Sequence, residues 1–377
     1  MKTTMLKPPT IDVLLPAFNA ESTLRESLQS LLDQTFEDFR ILVIDDGSTD
    51  GTAALVSTMA AADARIILFS KPNSGIVDTL NMGLEKATAE FIARLDADDI
   101  SFPERFEAQL AYLRGHPNCV AVSSNAYHID SVGQRTGTST TFGVPTGNPT
   151  WAPSREPYLM HPFLMARRAA LVTVGGYRHV NHAEDVDLYW RLRKLGELHN
   201  LPDIHGEYRV HPGSISSKSI VNGRVLALSG QLAALSERRR REGRSDLPFE
   251  RNQLDAFHAA GSLQGMIYVA ASMLSDEEQN YLEIATAAKL LETSVYRPFE
   301  PTVEDCAFIA KAIRNHAGGL CDENRKELIF MQARTSRRLL ASGYIREAMA
   351  LTPVHLYPKV AAYHIRLKTG RAWGNVN

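Results

Sequence analysis

Cysteine is scarce. Cys119, Cys306 and Cys321 are the only three in 377 residues, and they lie far apart. None sits in a Cys-x-x-Cys pair, so the sequence offers neither a zinc motif nor a disulfide framework. The sparse, odd count fits a reducing cytosol. An excess of charge of one sign is also missing: 41 Lys and Arg stand against 43 Asp and Glu, for a net charge of −2. That balance gives no global electrostatic reason to bind nucleic acid. Long hydrophobic runs are lacking too. Ile41–Ile44 and Met266–Met273 are too short or too interrupted to span a bilayer, and Met1–Pro9 holds no apolar stretch of signal-peptide length. The expectation is a soluble, cytoplasmic protein, attached at most to the inner face of the plasma membrane.

What is present suits a globular chain. A hydrophobic content of 44 % against 22 % charged residues is enough for a sizeable core, and the length suits two domains. The first 120 residues alternate between two periods. Short apolar runs at Ile11–Leu15, Arg40–Ile44, Ile66–Phe69 and Glu90–Leu95 read as strands. Helical patterns at Leu24–Leu32, Thr52–Ala62 and Ile76–Ala87 separate them. Alternation of this kind predicts an α/β fold with a parallel sheet covered on both faces. In such a sheet the carboxyl ends of the strands share one edge, where ligands bind. The polar clusters after Leu15, Ile44 and Leu95 are therefore expected to converge.

Beyond residue 120 the pattern is mixed. Val120–Val122 reads as a strand, Gly133–Pro157 as a loop rich in Gly, Pro, Ser and Thr, His161–Ala166 as a strand or strand edge, and Glu184–Leu195 as a helix. After Gly223 long helical periodicities dominate. Thr302-Val303-Glu304-Asp305 reads as a capping box before an apolar helix. The expected division is an α/β domain over residues 1–222 and a mainly helical domain over 223–377.

Leu95-Asp96-Ala97-Asp98-Asp99 is the most chemically loaded segment. Three carboxylates in four residues repel one another, and a hard cation between them relieves this. Mn2+ or Mg2+ takes oxygen ligands and bridges carboxylates to phosphates. A solvated acidic turn capping the next helix is the plainer alternative, at even odds on the motif alone. In Ile44-Asp45-Asp46-Gly47-Ser48-Thr49-Asp50-Gly51, Asp50 reads as a helix cap. Asp46, by its place after a strand, reads as an acceptor for ligand N–H or hydroxyl groups. Pro16-Ala17-Phe18-Asn19 presents small residues at the end of the first strand. Asn19 or Glu21 can also simply cap the helix that follows. Glu184 and Asp185 begin a helix, where acids are favoured by the dipole. Facing a cleft, such a carboxylate can act as a general base on an acceptor hydroxyl. His211, a lone histidine, is more often structural than catalytic on base rates.

Eight stretches together resemble family 2 glycosyltransferases, which have the GT-A fold. They are IDVLLPAFNAE, QTFEDFRILVIDDGSTDGT, NSGIVDTLNMGLEKA, FIARLDADDISFPERFEAQ, HPFLMARRAAL, GGYR, AEDVDLYWRL and YRVHPGSIS, in the family's order across residues 10–220. The resemblance implies a GT-A domain with a helical C-terminal region, and inverting transfer from a nucleotide sugar, UDP-linked, to a glycan or lipid-linked acceptor of the cell envelope. It implies that Pro16 and Ala17 contact the base, that Asp46 recognises it, and that Asn19, Glu21, Asn73 and Gly75 line the donor pocket. Asp96, Ala97 and Asp98 match the segment that meets ribose, sugar and metal; one of Asp98 and Asp99 would ligate Mn2+ or Mg2+, and His211 matches a position that in some relatives reaches the metal or the diphosphate. Asp185 matches the general base and Glu184 a partner for a sugar hydroxyl; Arg94 and Arg105 are secondary candidates.

Phe18 stands where Tyr is usual, and no Gln-x-x-Arg-Trp follows the Glu-Asp pair, which argues against a processive membrane synthase. A nucleotidyltransferase would want a Gly-rich basic loop where Pro16–Asn19 stands. A non-catalytic scaffold would not need Asp46, Asp98 and Asp185. The run Arg238–Arg241, with Arg244, reads as a solvated helix face beside Glu237 and Glu242, with contact to an anionic membrane as the alternative.

Overall fold

The computed structural model describes residues 8–210, 219–296 and 299–352. Two compact units result. The first takes residues up to 147, 156–179 and 184–211; the second takes 148–155, 180–183 and 212 onward.

The first unit is built on a nine-stranded sheet. Its strands are β1 (Ile11–Ala17), β2 (Phe39–Asp45), β3 (Ile66–Ser70), β4 (Phe91–Arg94), β5 (Ile100–Ser101), β6 (Cys119–Ile129), β7 (Arg135–Ser139), β8 (Met165–Arg167) and β9 (Glu197–Arg209). Its helices are α1 (Leu24–Leu32), α2 (Thr52–Ala62), α3 (Ile76–Lys86), α4 (Arg105–Gly115), α5 (Arg168–Thr173) and α6 (Glu184–Leu192). The strand order is β3-β2-β1-β4-β8-β6-β9-β5, with β7 on β6. β3, β2, β1 and β4 run parallel, as the strand–helix alternation predicts. β8 then enters antiparallel to both β4 and β6.

Both faces of the parallel half are covered, which is why its strands are almost continuously apolar. Ile11, Val13 and Leu15 of β1 pack with Leu24 and Leu28 of α1 and Phe106 of α4. Leu14, on the other face, packs with Leu42 and Ile44 of β2, Leu80 of α3 and Leu188 of α6. Asp12 is fully buried in β1. It sits at the end of the strand away from the polar edge. Arg40 grips it at 2.8 and 3.0 Å, and the N–H groups of Thr88 and Ala89 donate to it at 2.7 and 2.8 Å.

Two readings of the middle of the chain need correction, and one strand there went unread. The Gly133–Pro157 stretch is not all loop: Arg135–Ser139 forms β7, an exposed edge strand on β6. Its Thr residues suit an extended edge better than their polarity suggests. His161–Ala166 is a 3-10 turn over His161–Phe163 followed by β8. β9, with 13 residues, carries Pro202 and register shifts against β6, so it shows no clean alternation in sequence.

The second unit is helical, as its periodicity indicates: α7 (Ile220–Arg241), α8 (Gln253–Ala260), α9 (Leu263–Ala271), α10 (Asp276–Thr293), α11 (Val303–His316), α12 (Asp322–Ala341) and α13 (Ile345–Leu351). Leu228 and Leu232 of α7, Leu282 and Leu290 of α10, Ile309 of α11 and Leu339 of α12 share one core. The capping box at Thr302 and Asp305 is formed, and Ser275 and Glu278 form another at α10. Arg239 grips Glu278 at 2.7 Å with two nitrogens. Arg240 pairs with Glu237 and Asp246, Arg241 with Glu237, and Arg244 with Glu242 and Glu278. The basic run is thus woven into an ion-pair network. Among the described residues no helix is long and apolar enough to cross a membrane.

Candidate functional site

The register brings the strand ends together. Ala17 lies beside Asp45, and Leu14 beside Arg94. The loops after β1, β2 and β4 therefore share one edge. Asn19 and Glu21 fasten two of them. Asn19, with φ 49°, accepts the Thr49 N–H at 2.8 Å, and its own N–H donates to Ser48 Oγ at 2.9 Å. Glu21 accepts the Gly51 N–H at 3.0 Å. Neither side chain caps α1, whose N-cap is Thr23. Pro16 and Ala17 are buried, and Phe18 projects beyond them with half its surface exposed.

Asp46 is tied to the loop that follows β3. Its carboxylate accepts from Lys71 Nζ, from the Ser74 N–H at 2.8 Å and from the Gly75 N–H at 2.9 Å. Asn73 donates to its carbonyl at 3.0 Å. A carboxylate offers about four acceptor positions, so roughly one remains for a ligand. Two glycines make this geometry possible. Gly47 has φ 73°, and a Cβ there would lie 2.7 Å from the Asn73 nitrogen. Gly75, at φ 89°, leads into α3.

Asp96, Asp98 and Asp99 follow β4 and bring one oxygen each within 4.8 Å of the others. Asp96 is held by Arg94 at 3.2 and 2.6 Å. The Ala97 carbonyl accepts from Thr23 Oγ1 at 3.0 Å, tying the turn to the start of α1. Asp99 is fully buried. One of its oxygens accepts the Arg209 N–H at 2.8 Å; the other has no partner among the described residues. Burial, with Asp98 and then Asp96 beside it, pushes the Asp99 carboxyl well above the usual carboxylate range. A divalent cation would supply both the missing partner and the missing charge, so the donor set fits one. Arg209 braces the turn from β9 by donating to the Asp98 carbonyl at 2.8 Å and to Glu26 at 2.9 Å. Arg105 donates to the Arg94 carbonyl at 2.6 Å from full burial, which pulls its guanidinium down to about 9.

Glu184 and Asp185 open α6, and both keep some solvent contact. Burial pushes both carboxyls up; Asp185 raises Glu184 further, and Glu156 raises Asp185. The helix that presents them is anchored by charge. Asp187, fully buried, takes Arg178 Nε at 2.9 Å and Arg191 Nε at 2.8 Å. Arg191 also donates to the carbonyls of Val174 and Gly176 at 2.7 Å. Asn81 of α3 clamps the same turn by exchanging hydrogen bonds with the Tyr177 backbone at 2.8 and 2.9 Å. His161 Nε2 lies 3.0 Å from Tyr177 Oη. Burial, and then Arg94, holds His161 well below the ordinary histidine range, so it is neutral.

The structure thus gathers Pro16, Ala17, Asn19, Glu21, Asp46, Asn73, Gly75 and the Asp96–Asp99 cluster around neighbouring strand ends. His211 lies outside the described residues. Sequence reasoning passed over Lys71, His161, Arg178, Asp187 and Arg209. Arg178 and Asp187 stand inside GGYR and AEDVDLYWRL, so the signal was an opposite-charge pair in two adjacent motifs.

A family model described as glycosyl transferase family 2 matches residues 12–175. The putative glycosyltransferase EpsE of Bacillus subtilis (strain 168) is 35 % identical over 193 residues, covering 50 % of this chain and 68 % of EpsE. The amylovoran biosynthesis glycosyltransferase AmsE of Erwinia amylovora is 31 % identical over 199 residues, covering 51 % of this chain and 73 % of AmsE. Among solved structures, S. aureus TarS superposes with a TM-score of 0.50 at 17 % identity, over 91 % of this chain and 54 % of TarS. This chain, which spans about half of TarS, shares its fold at that level. The chain belongs to glycosyl transferase family 2, and its fold class is GT-A with a helical C-terminal region.

Proposed function

We propose that this glycosyltransferase moves a sugar, with inversion, from a UDP-linked donor to a hydroxyl of a glycan or lipid-linked acceptor in cell-envelope polysaccharide synthesis, on the cytoplasmic side of the membrane. The observation that carries the reading is the Asp96, Asp98 and Asp99 cluster at the strand edge, in the same unit as the raised Glu184–Asp185 pair. Pro16 and Ala17 would contact the base through backbone. Asp46 would accept a base N–H at its remaining position, and Asn73 and Gly75 would shape the pocket wall. Asn19 and Glu21 would support the pocket by holding its two loops together. Asp96 and Ala97 would meet ribose or sugar hydroxyls. Asp98 and Asp99, with His211, would hold Mn2+ or Mg2+, whose charge offsets that of a diphosphate leaving group. Asp185 would take the acceptor proton as the hydroxyl oxygen attacks the anomeric carbon, and Glu184 would hold a neighbouring hydroxyl. The helical unit would serve acceptor binding or self-association. Its arginine run is already matched by Glu237, Asp246 and Glu278, which leaves little charge for a lipid surface.

A nucleotidyltransferase reading lacks its basic glycine loop, since β1 runs into Pro16-Ala17-Phe18-Asn19. A thermal-shift screen of nucleotide sugars with Mn2+ tests the proposal, because ligands that bind the native state raise its melting temperature. UDP-sugars should raise it and EDTA should cancel the rise. A panel of UDP-, GDP- and dTDP-sugars with no effect would reject the reading, and full transfer activity in chelator would reject the metal.

A further inference from the structure

The last two helices of the second unit are apolar on both sides. Their inner side is accounted for: Leu328 and Leu339 of α12, with Ala348 and Leu351 of α13, are buried in the helical core. Leu340 at the end of α12, Tyr344 in the turn, and Ile345 and Met349 of α13 are exposed, the last two at 58 % and 61 %. Ile345 and Met349 stand four residues apart and share one face of α13. The core does not need these side chains, and large apolar groups exposed together mark an interaction surface. Charge is concentrated in the same stretch. The whole chain balances 41 Lys and Arg against 43 Asp and Glu, yet residues 334–377 hold eight Lys or Arg and a single acid, Glu347. Arg334 of α12 and Arg346 of α13 are exposed, and neither has an ion-pair partner among the described residues. The arginines of α7 differ, since acids of the same unit already match them. Residues 353–377 lie outside the described residues. Their sequence adds Lys359, Arg366, Lys368 and Arg371, alongside Tyr357, Tyr363 and Trp373, with no acid.

We propose that the exposed side of α12 and α13, continued by the sequence that follows, is a docking surface for an anionic phospholipid bilayer. Basic side chains are drawn to the headgroups, and apolar and aromatic ones bury at the acyl boundary. Both kinds stand together here. A nucleic-acid backbone would use the charge and leave Leu340, Ile345 and Met349 in water. A second copy meeting this face by two-fold symmetry would set basic patch against basic patch. At seven residues α13 can lie on a bilayer but not span one. The surface goes beyond the sugar-transfer reading and does not depend on it.

The test is sedimentation of the full chain with sucrose-loaded vesicles, of phosphatidylcholine alone and of phosphatidylcholine mixed with phosphatidylglycerol. The chain should bind the mixed vesicles, bind the neutral ones far more weakly, and come off as salt rises. A basic residue near an anionic surface is worth about fivefold in affinity, so R334Q/R346Q should weaken binding about 25-fold. I345S/M349S should weaken it about tenfold or more, through lost apolar burial. All four side chains are exposed, so both variants should melt at the wild-type temperature. K359Q/R366Q, beyond α13 in sequence, should lose binding as R334Q/R346Q does, and it keeps the test open if the others fail to fold. R241Q, whose charge Glu237 already matches, should bind like wild type. No binding to the mixed vesicles overturns the proposal, and so does equal binding to both kinds. Folded variants that bind like wild type overturn it, as does an R241Q that loses as much as they do. Binding to RNA, or a dimer that I345S/M349S abolishes, in place of vesicle binding would give the face to those partners and overturn it too. Transfer is not the readout, so a failure here leaves the sugar-transfer reading standing.

Discussion

Replacing Asp185 by Asn should lower the transfer rate by about 10²–10⁴-fold, the worth of a positioned general base, with UDP binding little changed. The side chain keeps its size and its place at the head of α6, so only proton transfer is lost. The ionised form is the base. Its carboxyl is pushed up to about 6, and that of Glu184 to about 7, by burial. The ionised fraction falls as the pH drops through that range, so the wild-type rate should fall on an acid limb there. A carboxyl with a raised folded-state pKa binds its proton more tightly folded than unfolded, so its ionisation opposes folding above that pKa. Asn carries no such charge. At pH 8 the Asp185→Asn variant should therefore melt at the wild-type temperature or above it. Normal turnover by the variant would remove Asp185 as the base. A lower melting point together with lost UDP binding would show that the residue is structural.

The second large effect concerns a residue that touches no substrate. Asp187 is fully buried, and two arginines converge on it from the GGYR turn and from α6 itself. Removing one partner of a buried pair strands the others, at about 3–5 kcal/mol. Asp187→Ala should lower the melting temperature of the first unit by roughly 10 °C, since about 1 kcal/mol moves a unit of this size by a few degrees. It should also lower the rate about 10²-fold, because a misplacement near 1 Å at the base has that cost. Asp187→Asn, which keeps the side chain's size and one accepting oxygen but turns the other into a donor facing an arginine N–H, should fall between wild type and Ala. A differential scanning measurement that finds Asp187→Ala within a degree of wild type would reject the anchor.

The parallel half of the sheet was readable in the sequence because its strands are buried on both faces. Ile11–Leu15 and Ile41–Ile44 are nearly pure apolar runs with helical periods between them. β7 and β9 were not readable. β7 is an exposed edge, and β9 carries Pro202 and shifts register, so neither shows the period-2 pattern. The same divide runs through the site. Asp46, the Asp96–Asp99 cluster and Glu184–Asp185 stood out because they are acids grouped inside short local motifs, although a turn, a cap or the helix dipole also accounts for acids at such places. Their partners did not. Lys71, Arg178 and Arg209 reach their acids across 25, 9 and 110 residues, and such pairings depend on the tertiary fold. Asn19 and Glu21 were legible as candidate site residues, but their hydrogen bonds go to the neighbouring loop.

The claim that Asp96, Asp98 and Asp99 hold a metal-bridged donor is tested most directly by calorimetric titration of UDP into the full chain, with Mn2+ and with EDTA, in wild type and in Asp98→Asn. UDP should bind in Mn2+, lose its binding in EDTA, and bind at least tenfold more weakly to the variant. Equal affinity in Mn2+ and in EDTA, or a variant that binds like wild type, would contradict it.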